Sequence, residues 1–372
     1  SPHLTSPHLT SPHLTSPKPD YAQNYKVVFL SDGCRDLPSM IRRMSLQNKK
    51  DLTDKFIWDE KDPDYIISTE RVFTSKEFYE KFKKYLNEKK RDKIFIFHTG
   101  ECVDADLSLF DYVITYDVDL KSKDRAAYGV CPSILDFENK NIFRNNLTYD
   151  EAKARLKNLK FCNFIYSHAQ LPRDEFFHEI SKYKQVDSLG PHLHNVDIPE
   201  SRSNSDWFNL SIELKLNYKF SIAMENAEFR GYNTEKIISS FRAHTIPIYW
   251  GDPAIEEFYN PEAFINCNNY KNIGDIVEII KELDNDDEKY LKMVTQSWMT
   301  PEQEAKILKL SDDYEKFIDN IFTQNIHDAV RRPLGIWNEI YINTYSRNIY
   351  KPSLLRRILR KCKRIVKKLI GA

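Results

Sequence analysis

The chain contains little glycine, 9 residues among 372. Gly-rich phosphate loops need several glycines within a few positions, and the sequence holds neither a GxGxxG segment nor a P-loop. Any phosphate that the protein binds must therefore be held by side chains and by the N-termini of helices.

The sequence also lacks the cysteine patterns of disulfide-rich or zinc-binding proteins. Its 6 cysteines are far apart, with no CxxC pair and no Cys/His ligand spacing, which predicts reduced thiols. No apolar run reaches the roughly 18 residues of a membrane-spanning helix, and the chain does not begin with a signal-peptide pattern. We therefore expect a cytoplasmic protein.

The net charge is zero, but the charges are unevenly distributed. Residues 351–372 contain nine Lys or Arg and no acidic residue, which leaves 46 basic and 55 acidic residues in the rest of the chain. An acidic body argues against a nucleic acid as the main partner. At 372 residues the chain also exceeds the usual size of a single core, so two domains are expected.

Four segments follow from the pattern along the chain. Residues 1–24 begin with three copies of Ser-Pro-His-Leu-Thr, and this density of proline predicts a disordered tail. Residues 25–158 and 159–345 each alternate short apolar runs with charged helical sequence, which is typical of parallel, doubly wound sheets. We predict an α/β fold of two Rossmann-like domains with the active site in the cleft between them. The fourth segment, residues 346–372, is a basic tail.

The predicted elements can be given by residue number. In the first domain we predict a helix over 75–90 and strands over 25–30, 65–67, 93–97 and 111–116. In the second we predict strands over 161–166, 184–186, 218–224 and 245–250, and helices over 172–183, 234–243, 275–283 and 287–296.

The densest functional pattern is the strand over 218–224, the polar loop after it and the helix over 234–243. Ligands of open α/β sheets bind at the carboxyl ends of the strands, and a helix N-terminus attracts anions. Lys236 adds a positive charge there, while Glu225 or Glu235 can accept hydrogen bonds from sugar hydroxyls. These residues predict a nucleotide-sugar site.

Segments of this region resemble the signature block of the α-1,3-fucosyltransferases that use GDP-fucose. Upstream, Thr99-Gly-Glu101 and Phe161-Cys-Asn-Phe are also similar to the family, so the resemblance spans about residues 93–270. The segments of the signature block are Tyr218 to Asn226, Gly-Tyr-Asn-Thr-Glu-Lys at 231–236, His-Thr-Ile-Pro-Ile-Tyr-Trp-Gly-Asp-Pro at 244–253 and Asn-Pro-Glu-Ala-Phe-Ile at 260–265.

The resemblance implies an inverting glycosyltransferase with the two-domain GT-B fold. In such a reaction a carboxylate takes a proton from the acceptor hydroxyl, and fixed cations stabilise the charge of the departing GDP. The matching residues are the general base Glu101, the diphosphate ligands Arg173 and Lys236, the ribose contact Glu235, and Glu225, Asn226 and Tyr232 in the donor pocket.

Structural roles are the alternative for several of these residues. Glu101 would then be an ordinary carboxylate at a strand end, and Arg173 a solvated helix residue. Glu235 and Lys236 would be charges at a helix end without a ligand.

The expected reaction is transfer of L-fucose from GDP-fucose to a hydroxyl of an N-acetylglucosamine-containing glycan, with an α-1,3 linkage. Synthesis of a bacterial surface polysaccharide or lipopolysaccharide is the expected setting. Met224 and Asn233 depart from the family pattern, as does the segment 102–106 after Glu101. These departures leave two alternatives open: a transferase for another GDP-sugar, and a non-catalytic protein of the same fold that binds glycans or nucleotides.

No cofactor is expected besides the substrate GDP-fucose, and no bound metal. Asp117-Val-Asp119 and Asp104-Ala-Asp106 match the manganese-binding DxD pattern of another transferase architecture, but a chain with 55 acidic residues produces such triplets readily.

Residues 352–372 have the pattern of a basic amphipathic helix, with apolar residues at i, i+3/i+4 and i+7 and eight Lys or Arg between them. Such a helix predicts attachment to an anionic membrane surface, here the inner face of the cytoplasmic membrane, where a lipid-linked glycan is a suitable acceptor. Packing on the protein's own surface, or on a partner, is the alternative. If a chain without residues 352–372 bound anionic vesicles equally well, this prediction would be wrong.

Overall fold

The structure is a computed structural model, and most of the predicted tail 1–24 and all of the basic segment 346–372 lie outside its described residues. The described residues are 20–21, 23–32, 49–88, 92–120, 122, 124–129, 134–136, 141–198, 207–336, 338 and 340.

A six-stranded sheet forms the N-terminal part of the fold, with all neighbouring strands parallel. Its strands are β1 (Tyr25–Leu30), β2 (Phe56–Trp58), β3 (Tyr65–Ser68), β4 (Ile94–His98), β5 (Tyr112–Thr115) and β6 (Ala126–Tyr128), in the order β2-β1-β3-β4-β5-β6. The helices between them are α1 (Lys50–Thr53), α2 (Arg71–Thr74) and α3 (Lys76–Asn87). Strands β3 and β5 are buried along their whole length, because helices cover both faces of a parallel sheet.

A two-stranded antiparallel ribbon and one helix lead to the second sheet. They are β7 (Leu135–Asp136), β8 (Asn141–Ile142) and α4 (Tyr149–Leu156). Helix α4 begins with a capping box in which the hydroxyl of Thr148 accepts from the backbone of Glu151, whose carboxylate accepts in return from the backbone of Thr148.

The second sheet has five strands, and its neighbouring strands are also parallel. They are β9 (Lys160–Phe164), β10 (Val186–Ser188), β11 (Tyr218–Met224), β12 (Ile246–Trp250) and β13 (Ile265–Asn266), in the order β10-β9-β11-β12-β13. The helices of this part are α5 (Leu171–Tyr183), α6 (Trp207–Lys215), α7 (Glu235–Arg242), α8 (Ile273–Asn285) and α9 (Asp287–Val294). All seven residues of the central strand β11 are buried, so the position of its carboxyl end is fixed by packing.

The last long helix packs against both parts of the molecule. It is α10 (Pro301–Thr323), and a short helix α11 (Ile326–Ala329) follows it. Ile307, near the start of α10, packs with the residues around α7, whereas Phe317 and Phe322 pack in the core of the first sheet. The chain therefore returns to the N-terminal sheet after residue 300. The domain limits given above, residues 25–158 and 159–345, remain a prediction.

The predicted α/β fold class is confirmed, with two parallel sheets that alternate strands and helices. None of the helices described here combines the length and the apolar content that crossing a membrane requires.

Candidate active site

The predicted site residues lie beyond the carboxyl ends of strands in both sheets. Glu101 follows β4 of the first sheet, and Glu225 and Asn226 follow β11 of the second. Arg173 lies in the first turn of α5, while Glu235 and Lys236 begin α7. Because parallel strands end at one edge of their sheet, residues from distant parts of the sequence meet there.

Arg173 is buried, with 2% of its surface exposed, so it is not a solvated helix residue. Its guanidinium carbon lies 4.0 Å from the centre of the Tyr166 ring. One terminal nitrogen donates to Asn226 Oδ1 at 2.9 Å and the other to the carbonyl of His168 at 3.0 Å. Its Nε has no hydrogen-bond partner among the described residues. These contacts hold a guanidinium rigidly at the edge of the sheet, with donor capacity left for an anion.

Glu225 is fully buried and supports the start of helix α7 rather than facing the surface. Its Oε1 accepts from the backbone N–H of Thr234 at 2.8 Å, and both carboxylate oxygens accept from the Thr234 hydroxyl. Lys236 Nζ lies 3.1 Å from Oε2. Burial raises the pKa of Glu225, although the Lys236 charge acts in the opposite direction. The carboxylate therefore holds Thr234 and Lys236 in place at the start of α7.

Lys236 is a charge held in place by three oxygen atoms. Besides Glu225, its Nζ lies 3.0 Å from Thr234 Oγ1 and 3.4 Å from Glu235 Oε1. Burial alone would lower the pKa of Lys236, but the carboxylates of Glu225 and Glu235 raise it well above its usual value. The amine therefore stays charged at neutral pH, and the half-exposed Glu235 beside it is open to a ligand.

A hydrogen bond between the two sheets joins Tyr232 to Glu101. The Tyr232 hydroxyl donates to Glu101 Oε2 at 3.0 Å, and its ring packs edge-on against Tyr116 of the first sheet. Tyr232 is only 1% exposed, and this burial raises the pKa of its hydroxyl, so the group stays protonated and donates. Glu101 itself is exposed, with its backbone N–H bound to Thr99 Oγ1 at 3.0 Å.

The two groups of residues lie within electrostatic range of one another. The charges of Glu101, Glu225 and Lys236 all act on the Tyr232 hydroxyl. Burial raises the pKa of the Tyr166 hydroxyl to about 12, against the charges of Arg173 and Lys236. Arg173 and Lys236 therefore both lie near Tyr166, while Lys236 and Glu101 both lie near Tyr232.

The sequence did not single out Tyr166 or Thr234, although both organise the site. Tyr166 stacks on Arg173 and its hydroxyl accepts from the backbone of Met224 at 2.7 Å. Its signal in the sequence was its position as the last residue of the strand predicted over 161–166. Thr234 was predicted as the first residue of the helix over 234–243, and its hydroxyl contacts both Glu225 and Lys236.

The carboxylates of the first DxD triplet contact protein groups. Asp117 Oδ1 accepts from the backbone of Asp119, and Asp119 Oδ2 lies 3.2 Å from Arg230. Within the described ranges, no three His, Cys, Asp or Glu side chains lie close enough to hold a metal ion.

Comparison with known proteins finds a family match within residues 153–321. Residues 153–321 match the family model of the glycosyltransferase family 10 (fucosyltransferase) C-terminal domain. An α-(1,3)-fucosyltransferase of Helicobacter pylori is 27% identical over 229 residues, which cover 54% of this chain and 46% of the relative. A fucosyltransferase-like protein of Acanthamoeba polyphaga mimivirus is 34% identical over 209 residues, covering 55% of this chain and 34% of the relative. The GDP-fucose protein O-fucosyltransferase 3 of Xenopus laevis is 30% identical over 167 residues, covering 43% and 33%.

Solved structures agree with the fold. A crystal structure of an α-1,3-fucosyltransferase with GDP-fucose superposes with a TM-score of 0.56 at 19% identity, covering 80% of this chain and 90% of that one. A further crystal structure of an α-1,3-fucosyltransferase gives a TM-score of 0.60 at 20% identity, covering 84% of this chain and 93% of that one.

The two parallel sheets thus belong to the GT-B class of glycosyltransferase folds. Residues 153–321 match the model of glycosyltransferase family 10, and the predicted resemblance to the α-1,3-fucosyltransferase family is confirmed. The matched part spans between a third and a half of the length of the curated relatives.

Proposed function

We propose that this protein is an inverting fucosyltransferase that transfers L-fucose from GDP-fucose to a hydroxyl of an acceptor. The observation that carries the proposal is the 3.0 Å hydrogen bond from Tyr232 to Glu101. It brings an exposed carboxylate of the first sheet to the edge of the cationic cluster that Arg173 and Lys236 form in the second. An acid–base group opposite fixed cations is the arrangement that inverting transfer requires.

In the proposed reaction the acceptor oxygen attacks the anomeric carbon of fucose, and the bond from that carbon to the diphosphate breaks. Glu101 takes the proton of the acceptor hydroxyl as the new bond forms. The electron pair of the broken bond stays on GDP, where Arg173 and Lys236 stabilise the growing charge. Glu235 is placed to accept from a ribose hydroxyl, and Asn226 acts indirectly by holding Arg173.

An N-acetylglucosamine-containing glycan remains the acceptor that we propose, with an α-1,3 linkage and a role in surface polysaccharide or lipopolysaccharide synthesis. The Helicobacter pylori relative, an α-(1,3)-fucosyltransferase, supports this choice. The Xenopus relative is named as a protein O-fucosyltransferase, so a protein hydroxyl is the second candidate acceptor. Attachment to the inner face of the cytoplasmic membrane through residues 352–372 is part of the proposal.

The proposal is tested by GDP release from GDP-fucose, with GDP-mannose as the control sugar nucleotide. The acceptors are N-acetyllactosamine-type glycans and serine- or threonine-containing peptides. Release that depends on both GDP-fucose and an acceptor is expected, and the responding acceptor class decides between the two candidates. If GDP does not bind, or if no GDP-sugar turns over with any acceptor, the proposed function is wrong.

The role of Glu101 is tested by Glu101→Gln, which keeps the shape of the side chain but removes its basicity. We expect turnover to fall about 100-fold or more, with the Kd for GDP unchanged. Glu70→Gln is the matched control, because Glu70 accepts from the same Thr99 hydroxyl at 2.9 Å. A non-catalytic protein would bind GDP with the same Kd in both variants and would show no turnover before or after substitution.

A further inference from the structure

A small pocket lies beside Lys236 and extends away from the diphosphate ligands along helix α7. Its volume is about 160 Å³. Its walls come from the carboxyl ends of β9 and β11, from α7 and from α6, which places it in the second sheet alone. The residues that matter here are Tyr166, Lys215, Ile222, Glu235, Lys236 and Ser239.

Lys215, the last residue of α6, brings an amine into this pocket. The residue is only 5% exposed, and its Nζ lies 2.6 Å from Ser239 Oγ and 3.2 Å from Ser240 Oγ. Both serine hydroxyls donate to the carbonyl of Lys236, at 3.1 and 2.9 Å. They can therefore only accept from the amine, which must be the donor in both bonds.

In its protonated form the amine has three N–H groups, and the two serines use two of them. The third has no hydrogen-bond partner in the part of the chain that the structure describes, and no carboxylate there lies within ion-pair distance of Nζ. An amine buried without a counter-charge destabilises a fold. Burial accordingly lowers the pKa of Lys215 to about 7. An apolar side chain of the same length would fill this position at lower cost, so packing does not explain the amine.

We propose that the pocket receives the nucleobase of the sugar nucleotide and that Lys215 determines which base it accepts. The inference rests on the proposed function, because it assumes that the diphosphate contacts Arg173 and Lys236. Ser239 lies three residues after Lys236, a rise of about 4.5 Å along the helix. When the diphosphate of a nucleotide binds Lys236, its ribose lies beside Glu235 and its base lies beside Lys215. Tyr166 and Ile222 supply the apolar walls for the ring.

The free N–H of the Lys215 amine favours a nucleobase that has a hydrogen-bond acceptor on the edge facing the amine. Guanine presents the acceptors O6 and N7 there, whereas adenine presents an amino group in place of O6. The amine of Lys215 can donate to O6 of guanine but meets a second donor in adenine. Lys215 is therefore a specificity-determining residue for GDP over ADP.

The experiment is isothermal titration of GDP and ADP into the unaltered protein, the variant Lys215→Met and the control Lys292→Met. Lys292 is an exposed lysine on α9, so its substitution removes the same charge outside the pocket. We expect Lys215→Met to weaken GDP binding about tenfold and not to weaken ADP binding, because the donor that adenine meets is removed. Lys292→Met should behave as the unaltered protein does, and Lys215→Met should melt at no lower temperature, because it removes a buried charge.

A ligand-side comparison keeps the inference testable if Lys215→Met does not fold. The diphosphate of 2-aminopurine riboside lacks O6, so the unaltered protein should bind it about tenfold more weakly than GDP. Equal affinities for the two nucleotides, or an unchanged preference for GDP over ADP in Lys215→Met, would overturn the role of Lys215. Failure of the unaltered protein to bind GDP is a different result, because it overturns the proposed function as well.

Discussion

Glu101 is an exposed carboxylate, and the Tyr232 hydroxyl is the side chain that fixes its orientation across the boundary between the sheets. A general base must lie within hydrogen-bond reach of the proton that it removes, and a displacement of about 1 Å can cost 100-fold in rate. Tyr232 was predicted as a donor-pocket residue. In the proposed reaction its contact with Glu101 makes it a positioning residue as well.

The variant Tyr232→Phe tests this role. We expect kcat to fall about tenfold while the Kd for GDP and the KM for the acceptor stay nearly constant, because only the orientation of the base changes. The phenylalanine ring keeps the packing against Tyr116, so stability should change by about 1 kcal/mol or less. Steady-state kinetics with both substrates and a thermal melt provide the measurement.

Tyr128→Phe is the matched control for Tyr232→Phe. The Tyr128 hydroxyl donates to the carbonyl of Gly231 at 2.7 Å, so it bridges the same two sheets without contacting Glu101. Equal losses of kcat in the two variants would mean that the contact between the sheets matters and the orientation of Glu101 does not.

Single residues could be predicted from the sequence where a family pattern marks them, and less well where burial decides their role. Arg173 and Lys236 were marked by the pattern. Glu225 was marked too, but its two oxygens contact Thr234 and Lys236, because the carboxylate lies under the helix start. Lys215 belongs to no motif, and only the folded structure shows that its amine is buried.

At the scale of elements, an ion pair fastens the segment after α11 to the first sheet. Arg332 Nη1 lies 2.5 Å from Asp111 Oδ2, and the two side chains are 7% and 0% exposed. The same carboxylate accepts from the backbone of Phe95 at 2.8 Å and of Arg332 at 2.9 Å. Asp111 thus joins the starts of β4 and β5 to a segment more than two hundred positions later in the chain.

We predict that Arg332→Met lowers the free energy of unfolding by about 3 kcal/mol, because it leaves the Asp111 carboxylate buried without a counter-charge. The adjacent Arg331→Met is the control. Arg331 is 29% exposed and lies 4.0 Å from the exposed Asp124, so its loss should cost about 1 kcal/mol or less. Urea denaturation of both variants decides the matter, and equal stabilities would contradict the prediction.

The elements themselves could be predicted where an apolar run or a helical period is long enough. The strand predicted over 218–224 is β11 residue for residue, and the helix over 234–243 differs from α7 by one residue at each end. Strands β2, β6 and β13 were missed, because two or three residues carry no detectable period. Helix α10 was missed as well, and its packing on both sheets could not be read from its own sequence.

At the scale of the whole molecule, the two sheets meet around Gly231. Its backbone has φ +94°, a conformation that side chains rarely adopt. A Cβ at this position would lie 2.2 Å from the carbonyl oxygen of Tyr116 and 2.7 Å from a methyl of Val118, both in the first sheet's part of the chain. Only glycine lets the loop before α7 approach that backbone, and the approach places Tyr232 beside Glu101.

The variant Gly231→Ala should therefore separate Glu101, the proposed base, from Arg173 and Lys236. We expect a loss of about 3 kcal/mol in stability, because a backbone atom must move and φ becomes strained. Turnover should fall further than GDP affinity, since Arg173 and Lys236 both belong to the second sheet. Gly274→Ala is the control. A Cβ there meets nothing within 4 Å, and alanine in helix α8 should raise the free energy of unfolding by about 0.5–1 kcal/mol. Kinetics, GDP titration and urea denaturation of both variants test these expectations. Unaltered turnover in Gly231→Ala would show that catalysis does not require the sheets to meet at Gly231.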